Sequence, residues 1–149
     1  MLTIEVMALA AHAYIKLVPA SKQKAVTLEE VKQLFQYYQD MMKKTGEQLG
    51  WAYQQAAFPY QLIETDEGKG KWFYLKGDGH RYRTIIVGVG SNNETNNGET
   101  EESFIQITLP NGATHGDKGK ANEFCKFLAK KLEGELHLFN GRIMYYYKR

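Results

Sequence analysis

Between residues 12 and 17, His12, Tyr14 and Lys16 alternate with Ala13, Ile15 and Leu17, a period of two that predicts a strand with one buried face, closed by Pro19. The period then lengthens. Thr27 followed by Glu30 has the form of a capping box, in which hydroxyl and carboxylate satisfy the open amides of a helix start. Leu28, Val31, Leu34, Phe35, Tyr38, Met41 and Met42 recur at helical steps, and Glu29, Lys32, Gln36, Gln39 and Lys43 fill the other face. A first helix is therefore expected from Thr27 to a stop at Thr45-Gly46. Trp51 to Pro59 has neither period and is expected to be a loop with a short strand or a turn of helix.

Three extended runs follow, Tyr60 to Thr65, Lys71 to Lys76 and Arg81 to Val89, joined by Asp66-Glu67-Gly68 and Gly77-Asp78-Gly79. Glycine-rich links of this kind adopt positive φ and join hairpins. The polar tract 91–102 lacks apolar periodicity and is expected to be a mobile loop. Ser103 to Leu109 resumes the sheet, with Ile105, Ile107 and Leu109 on one face, and Pro110-Asn111-Gly112 turns the chain. A second helix is expected from about Lys118 to Leu132, burying Ala121, Phe124, Cys125, Leu128 and Leu132, with Gly134 as its left-handed stop. In the last hairpin, Glu135 to Phe139 and Arg142 to Lys148 flank Asn140-Gly141, a pair that suits a two-residue type I′ turn. Alternation sends Tyr145 and Tyr147 to one face and Tyr146 to the other.

The resulting order is β-α-β-β-β-β-α-β-β. Most links between strands are too short for parallel crossovers, which predicts an α+β fold: a mostly antiparallel sheet with two helices on one face. The order is similar to that of helix-grip and TATA-binding-like folds, a likeness of topology that transfers no function.

Composition narrows the class. A chain of 149 residues, 43% hydrophobic and 24% charged, suits one domain over residues 1–149 and excludes a disordered chain. Residues 2–18 are apolar and Ala8-Leu9-Ala10 has a small-x-small form, but Glu5 and His12 interrupt the run and no basic residue precedes it, which argues against a secretory signal. Residues 1–11 are read instead as a flexible extension or the product of a misplaced start, with Met7 as the alternative start. No run approaches the ~20 apolar residues of a spanning helix, so no membrane partner is expected. The single cysteine excludes an internal disulfide framework and a multi-cysteine zinc site, and a cytoplasmic location is the expectation. A formal charge of +2 is too small to mark a dedicated polyanion binder. The unusual feature is aromatic content, ten Tyr, seven Phe and two Trp, which supplies rigid surface for a core or an interface.

Two stretches carry candidate chemistry. In Gly112 to Ala121, the residues Thr114, His115, Gly116, Lys118, Gly119 and Lys120 combine a helix start with glycines and lysines, a setting that holds phosphate or carboxylate. The spacing departs from the P-loop and Ala121 stands where a hydroxyl is needed, which excludes magnesium-nucleotide chemistry by that route. The alternative is a helix start capped by Thr114 or Asp117. His115 lies two residues from Asp117, an acid–base pairing by sequence position alone, while His12, His80 and His137 are too scattered for a metal set. No metal or cofactor is expected. Cys125 falls on the apolar stripe, where a thiol acts as a small hydrophobe. In the second stretch, Trp72, Tyr74, Lys76, Arg81, Tyr82 and Arg83 interleave rings and cations as RNA and single-stranded DNA binders do, although the same run suits a strand with one solvated face.

Ala13-Tyr14-Ile15-Lys16-Leu17-Val18-Pro19, Asn122 to Leu128 and Asn140 to Tyr147 resemble a small family of uncharacterised single-domain proteins from Bacillus-type bacteria, described only as domain of unknown function 1885. The resemblance spans nearly the whole chain beyond the first dozen residues. It implies a bacterial cytoplasmic protein and brings no catalytic residues. The leading expectation is a non-catalytic binding or interaction domain, with a protein or a small anion as partner and nucleic acid less favoured. The alternatives are a small-ligand or phosphate-binding protein or enzyme using residues 112–120, and an RNA or single-stranded DNA binder using residues 71–83.

Overall fold

The computed structural model describes residues 10–50, 53–92 and 102–148. Strand β1 spans Ala11–Lys16, with Ala13 and Ile15 fully buried as the alternation requires. Thr27 then caps α1, Leu28–Leu49: its hydroxyl accepts from the Glu30 amide at 3.1 Å and the Glu30 carboxylate accepts from the Thr27 amide at 3.0 Å. The helix continues past the expected stop at Thr45-Gly46. Gly46 is buried within it, and Gly50, with φ 76°, makes the left-handed stop and donates its N–H to the Gly46 carbonyl. A glycine inside a helix costs only about 1 kcal/mol, which tertiary packing readily offsets.

The ambiguous segment contains a one-turn helix, α2, Tyr53–Ala57. Strands β2 (Gln61–Ile63), β3 (Trp72–Lys76), β4 (Thr84–Asn92) and β5 (Glu102–Leu109) follow as a meander. Strand β4 starts later than Arg81 because Gly77 and Gly79 donate to the carbonyls of Arg83 and Tyr82, at 2.9 Å each, and close 77–83 into a loop. At the other end the polar tract is shorter than expected, since Ser91 pairs with Ser103 and Asn92 with Glu102. The rest of that tract, 93–101, and residues 1–9 of the expected extension lie outside the described residues.

Helix α3 runs from His115 to Leu132 and begins three residues before Lys118, because Thr114 and Asp117 form a second capping box. Its left-handed stop is Glu133, φ 52°, and not Gly134. Gly134 serves a different need: a Cβ there would sit 2.9 Å from Ile15 Cγ2 and 3.0 Å from the Lys16 carbonyl. Strands β6 (Glu135–His137) and β7 (Ile143–Tyr145) close the chain. Their turn is not type I′. Leu138 donates to Arg142 at 2.8 Å and Gly141 to Leu138 at 3.0 Å, enclosing three residues of which Gly141 alone has positive φ, 85°. This is a type I turn with a glycine bulge, favoured because the Asn140 carbonyl oxygen Oδ1 accepts from the Arg142 amide at 2.9 Å.

The strands form one antiparallel sheet of order β2-β3-β4-β5-β1-β6-β7. Ile15, Phe73, Leu75, Ile85, Val87, Ile105, Ile107 and Leu136 form its buried face, against Val31 and Phe35 of α1 and Phe124 and Leu128 of α3. Phe35 joins the layers, its ring centroid 5.9 Å from that of Phe73 and 5.4 Å from that of Phe124. The fold is thus α+β with both long helices on one side. No helix among the described residues is long and apolar enough to cross a membrane.

Candidate functional site

The two stretches singled out in the sequence meet at one end of the sheet, and Asp117 joins them. Its carboxylate is fully buried and accepts from the Tyr60 hydroxyl at 2.6 Å, the Arg83 amide at 3.0 Å and the Thr114 amide at 3.1 Å. The Thr114 hydroxyl accepts from the Asp117 amide at 3.0 Å and donates to the Arg81 carbonyl. Gly116 is needed for close approach, because a Cβ there would lie 2.5 Å from the Arg81 carbonyl oxygen and 2.9 Å from the Tyr82 ring. Arg83 Nη1 donates to the Gly112 carbonyl at 3.3 Å. Burial first, and the hydrogen bond to Asp117 second, hold the Tyr60 phenol far above its ordinary range. Asp117 is therefore committed to the interior, while His115, Lys118 and Gly119 are exposed beyond it and Lys120 pairs with Glu123 at 3.1 Å.

The fold distributes the second set differently. Trp72, Tyr74 and Lys76 share the sheet face turned away from the helices, with the Lys76 ammonium 5.1 Å from the Tyr74 ring centroid. Tyr82 turns instead toward Tyr60, edge to face at 5.6 Å, and Arg81 and Arg83 stay in the loop beside α3. The six residues do not form one surface.

The open face gathers side chains that sequence reasoning placed only as the solvated half of a strand. Register sets Trp72, Gly88, Gln106, Tyr14, His137 and Ile143 in one row across six strands, with Tyr74, Ile86, Thr108 and His12 in the next. His12 Nδ1 lies 2.9 Å from Thr108 Oγ1 and 3.0 Å from Gln106 Nε2. An amide nitrogen can only donate, so Nδ1 is the acceptor of the Gln106 bond. Tyr14 meets Phe104 edge to face at 5.9 Å, and the Phe104 ring covers Gly90, where a Cβ would lie 2.5 Å from it. At the far edge Tyr145 and Tyr147 meet edge to face at 5.8 Å, while Tyr146 packs toward the core, as alternation requires. The face is thus aromatic, with an internally bonded polar centre.

Cys125 is fully buried, and that burial pushes its thiol up to about 12. Among the described residues no three of His, Cys, Asp and Glu come together in a way that would hold a metal ion.

Comparison with known proteins gives a consistent picture. A family model described as a domain of unknown function (DUF1885) matches residues 11–148. The crystal structure of a protein of unknown function from Bacillus stearothermophilus is 54% identical, with 83% of this chain and 91% of that chain covered and a TM-score of 0.54. No curated protein matches the chain.

Proposed function

We propose, for a chain that belongs to the DUF1885 family, a non-catalytic role: an interaction domain of the bacterial cytoplasm that engages a protein partner through the open face of its sheet. The observation that carries this reading is the composition of that face. Trp72, Tyr74, Tyr14 and Phe104, all half-buried, surround the bonded His12, Gln106 and Thr108, which combines rigid aromatic area with polar groups already satisfied, as at the centre of protein interfaces. The charged side chains described on it, Lys16, Lys76 and Glu135, sum to a single positive charge, and Arg81 and Arg83 lie elsewhere, so the face lacks the dense basic field that draws a polyanion. Asp117 is enclosed, with its carboxylate bonded to Tyr60, Arg83 and Thr114, and the Cys125 thiol is enclosed as well.

The test places a photo-reactive residue at position 14 or 72 in the host cell, purifies the protein it captures, and titrates that protein against native and variant domains. Trp72→Ala and Tyr14→Ala should each raise the Kd about tenfold or more, and Lys118→Gln should leave it unchanged. An affinity indifferent to both aromatic substitutions removes the reading. A partner captured only from Glu29, on α1, would move the interface to the helical side.

A further inference from the structure

A groove of about 360 Å³ lies between α1, α3 and the loop joining β1 to α1, on the side opposite the open sheet face. Leu34 and Leu132 form its floor and the Tyr37 ring, 45% exposed, its wall. The wall is held in place: Tyr37 stacks on Phe127 with centroids 6.4 Å apart and rings inclined by 20°, and the Lys131 ammonium sits 4.3 Å from its centroid. The rim is held too, because the Lys22 amide donates to the Leu132 carbonyl at 3.0 Å and Gln23 Nε2 donates to Glu30 at 2.8 Å.

Charge decides what this groove suits. Glu30 is its one carboxylate, and both oxygens are in use: Oε1 accepts from the Thr27 amide and hydroxyl, Oε2 from Gln23. The bond from Gln23, followed by that from the Thr27 amide, holds Glu30 below its ordinary range, so it stays ionised and occupied. Lys22 and Lys131 lack a partner of opposite charge: among the described residues neither has a carboxylate within 4.0 Å. The carbonyls of Ala129, Lys130 and Leu132 at the α3 terminus already accept from the Gly134, Glu133 and Lys22 amides, so these three need no ammonium as a donor. The groove therefore offers two cations without a carboxylate partner, one of them, Lys131, resting over the Tyr37 ring, above an apolar and aromatic floor.

We propose that this groove binds a small carboxylate with an apolar body, its charge held by Lys22 and Lys131 and its body laid on Tyr37, Leu34 and Leu132. The volume suits a ligand of roughly ten to fifteen non-hydrogen atoms. The site is independent of the open sheet face, and either reading can fail alone. Octanoate is the probe, with octylamine as its charge-reversed counterpart, both titrated into the native chain at matched ionic strength while amide and side-chain resonances are followed. Octanoate should saturate one site and shift Leu34, Tyr37 and Leu132, with octylamine at least about tenfold weaker. The Lys22→Gln, Lys131→Gln double variant should weaken octanoate about tenfold, two exposed contacts contributing a few-fold each. Tyr37→Ala should weaken it as well, and Trp72→Ala should not. These side chains are surface groups, and an unchanged circular dichroism spectrum confirms that each variant is folded. Octylamine binding as well as octanoate, no saturation at millimolar concentration, or shifts confined to the open sheet face would each overturn the proposal.

Discussion

Replacing Asp117 by Ala should destabilise the fold by about 3–5 kcal/mol, a large share of the 5–15 kcal/mol that holds a typical domain. The figure follows from what the carboxylate serves. The Tyr60 hydroxyl is buried, and without its acceptor at 2.6 Å it is left unsatisfied at a cost of about 1–3 kcal/mol. The reciprocal half of the capping box goes with it, worth about 1 kcal/mol, and so does the bond to the Arg83 amide that anchors the β3–β4 loop to α3. Asp117→Asn is informative in a different way. Its Oδ1 can keep the Tyr60 hydroxyl and the Arg83 amide, but its NH₂ must then face the Thr114 N–H, so it should still lose about 2 kcal/mol. Urea unfolding of native, Asp117→Ala, Tyr60→Phe and the double variant closes a cycle, and the coupling between the two positions should exceed about 1 kcal/mol. Hydrogen exchange should speed up at the Arg83 amide first. A loss below about 1 kcal/mol for Asp117→Ala, or additive effects of the two substitutions, would refute the assignment of Asp117 as the clamp between the loop and the helix.

Three further outcomes are expected. The Cys125 thiol titrates near 9 when unfolded and is raised to about 12 in the fold, so the stability it supplies is complete below pH 9 and is lost as pH rises from 9 toward 12. Cys125→Ala should reduce the alkaline slope between pH 9 and 10 by up to about 1.4 kcal/mol per pH unit, the smaller slope from Tyr60 being common to both proteins; an unchanged slope, or native Cys125 labelled by a thiol reagent as fast as the unfolded chain, would contradict burial. Gly141 has φ 85° with open space around it, so Gly141→Val should cost about 1–3 kcal/mol by backbone strain alone, and Gly141→Asn clearly less; equal melting temperatures for the two would count against the glycine bulge. Phosphate should stabilise native chain and the Lys118→Gln, Lys120→Gln variant equally when compared with chloride at matched ionic strength; a gain confined to the native chain would reinstate an anion site at residues 112–120.

The parts of the fold that were legible from sequence are those written in local pattern. Alternation placed Ala13, Ile15, Ile105 and Ile107 on the buried face, and Thr27-x-x-Glu30 located the start of α1. The same logic applied to Thr114-x-x-Asp117 was obscured by Gly116 and Gly119, which lower helix propensity; Gly116 is there for its contact with the 81–82 backbone and ring, a tertiary demand with no local signature. The turn at Asn140-Gly141 was misread because the dipeptide suits more than one loop length, and the choice rests on the Asn140 side-chain bond to Arg142. The open face was the least accessible to pattern. His12, Tyr14, Gln106 and Thr108 each read as solvated strand positions, and only the pairing of β1 with β5 brings them together. The cluster of Arg81, Tyr82 and Arg83 with Trp72 and Tyr74 dissolved for the complementary reason, because a loop separates neighbours in sequence.

The position of β1 has a kinetic consequence. In the sheet it lies between β5 and β6, yet in the chain it precedes both, and the contact between His12 and Thr108 spans 96 residues. The meander from β2 to β5 and the hairpin of β6 with β7 can each assemble from adjacent segments, but neither can join the other until β1 is inserted between them. During synthesis β1 leaves the ribosome before the other described strands and must wait for most of the chain, with Ile15 and Leu17 exposed, before either of its edges is covered. Folding should therefore be limited by the closure of that long loop. Weakening β1, for example by Ile15→Ala, should slow refolding more than an equally destabilising change in the β6–β7 hairpin, where the lost contacts would show mainly as faster unfolding.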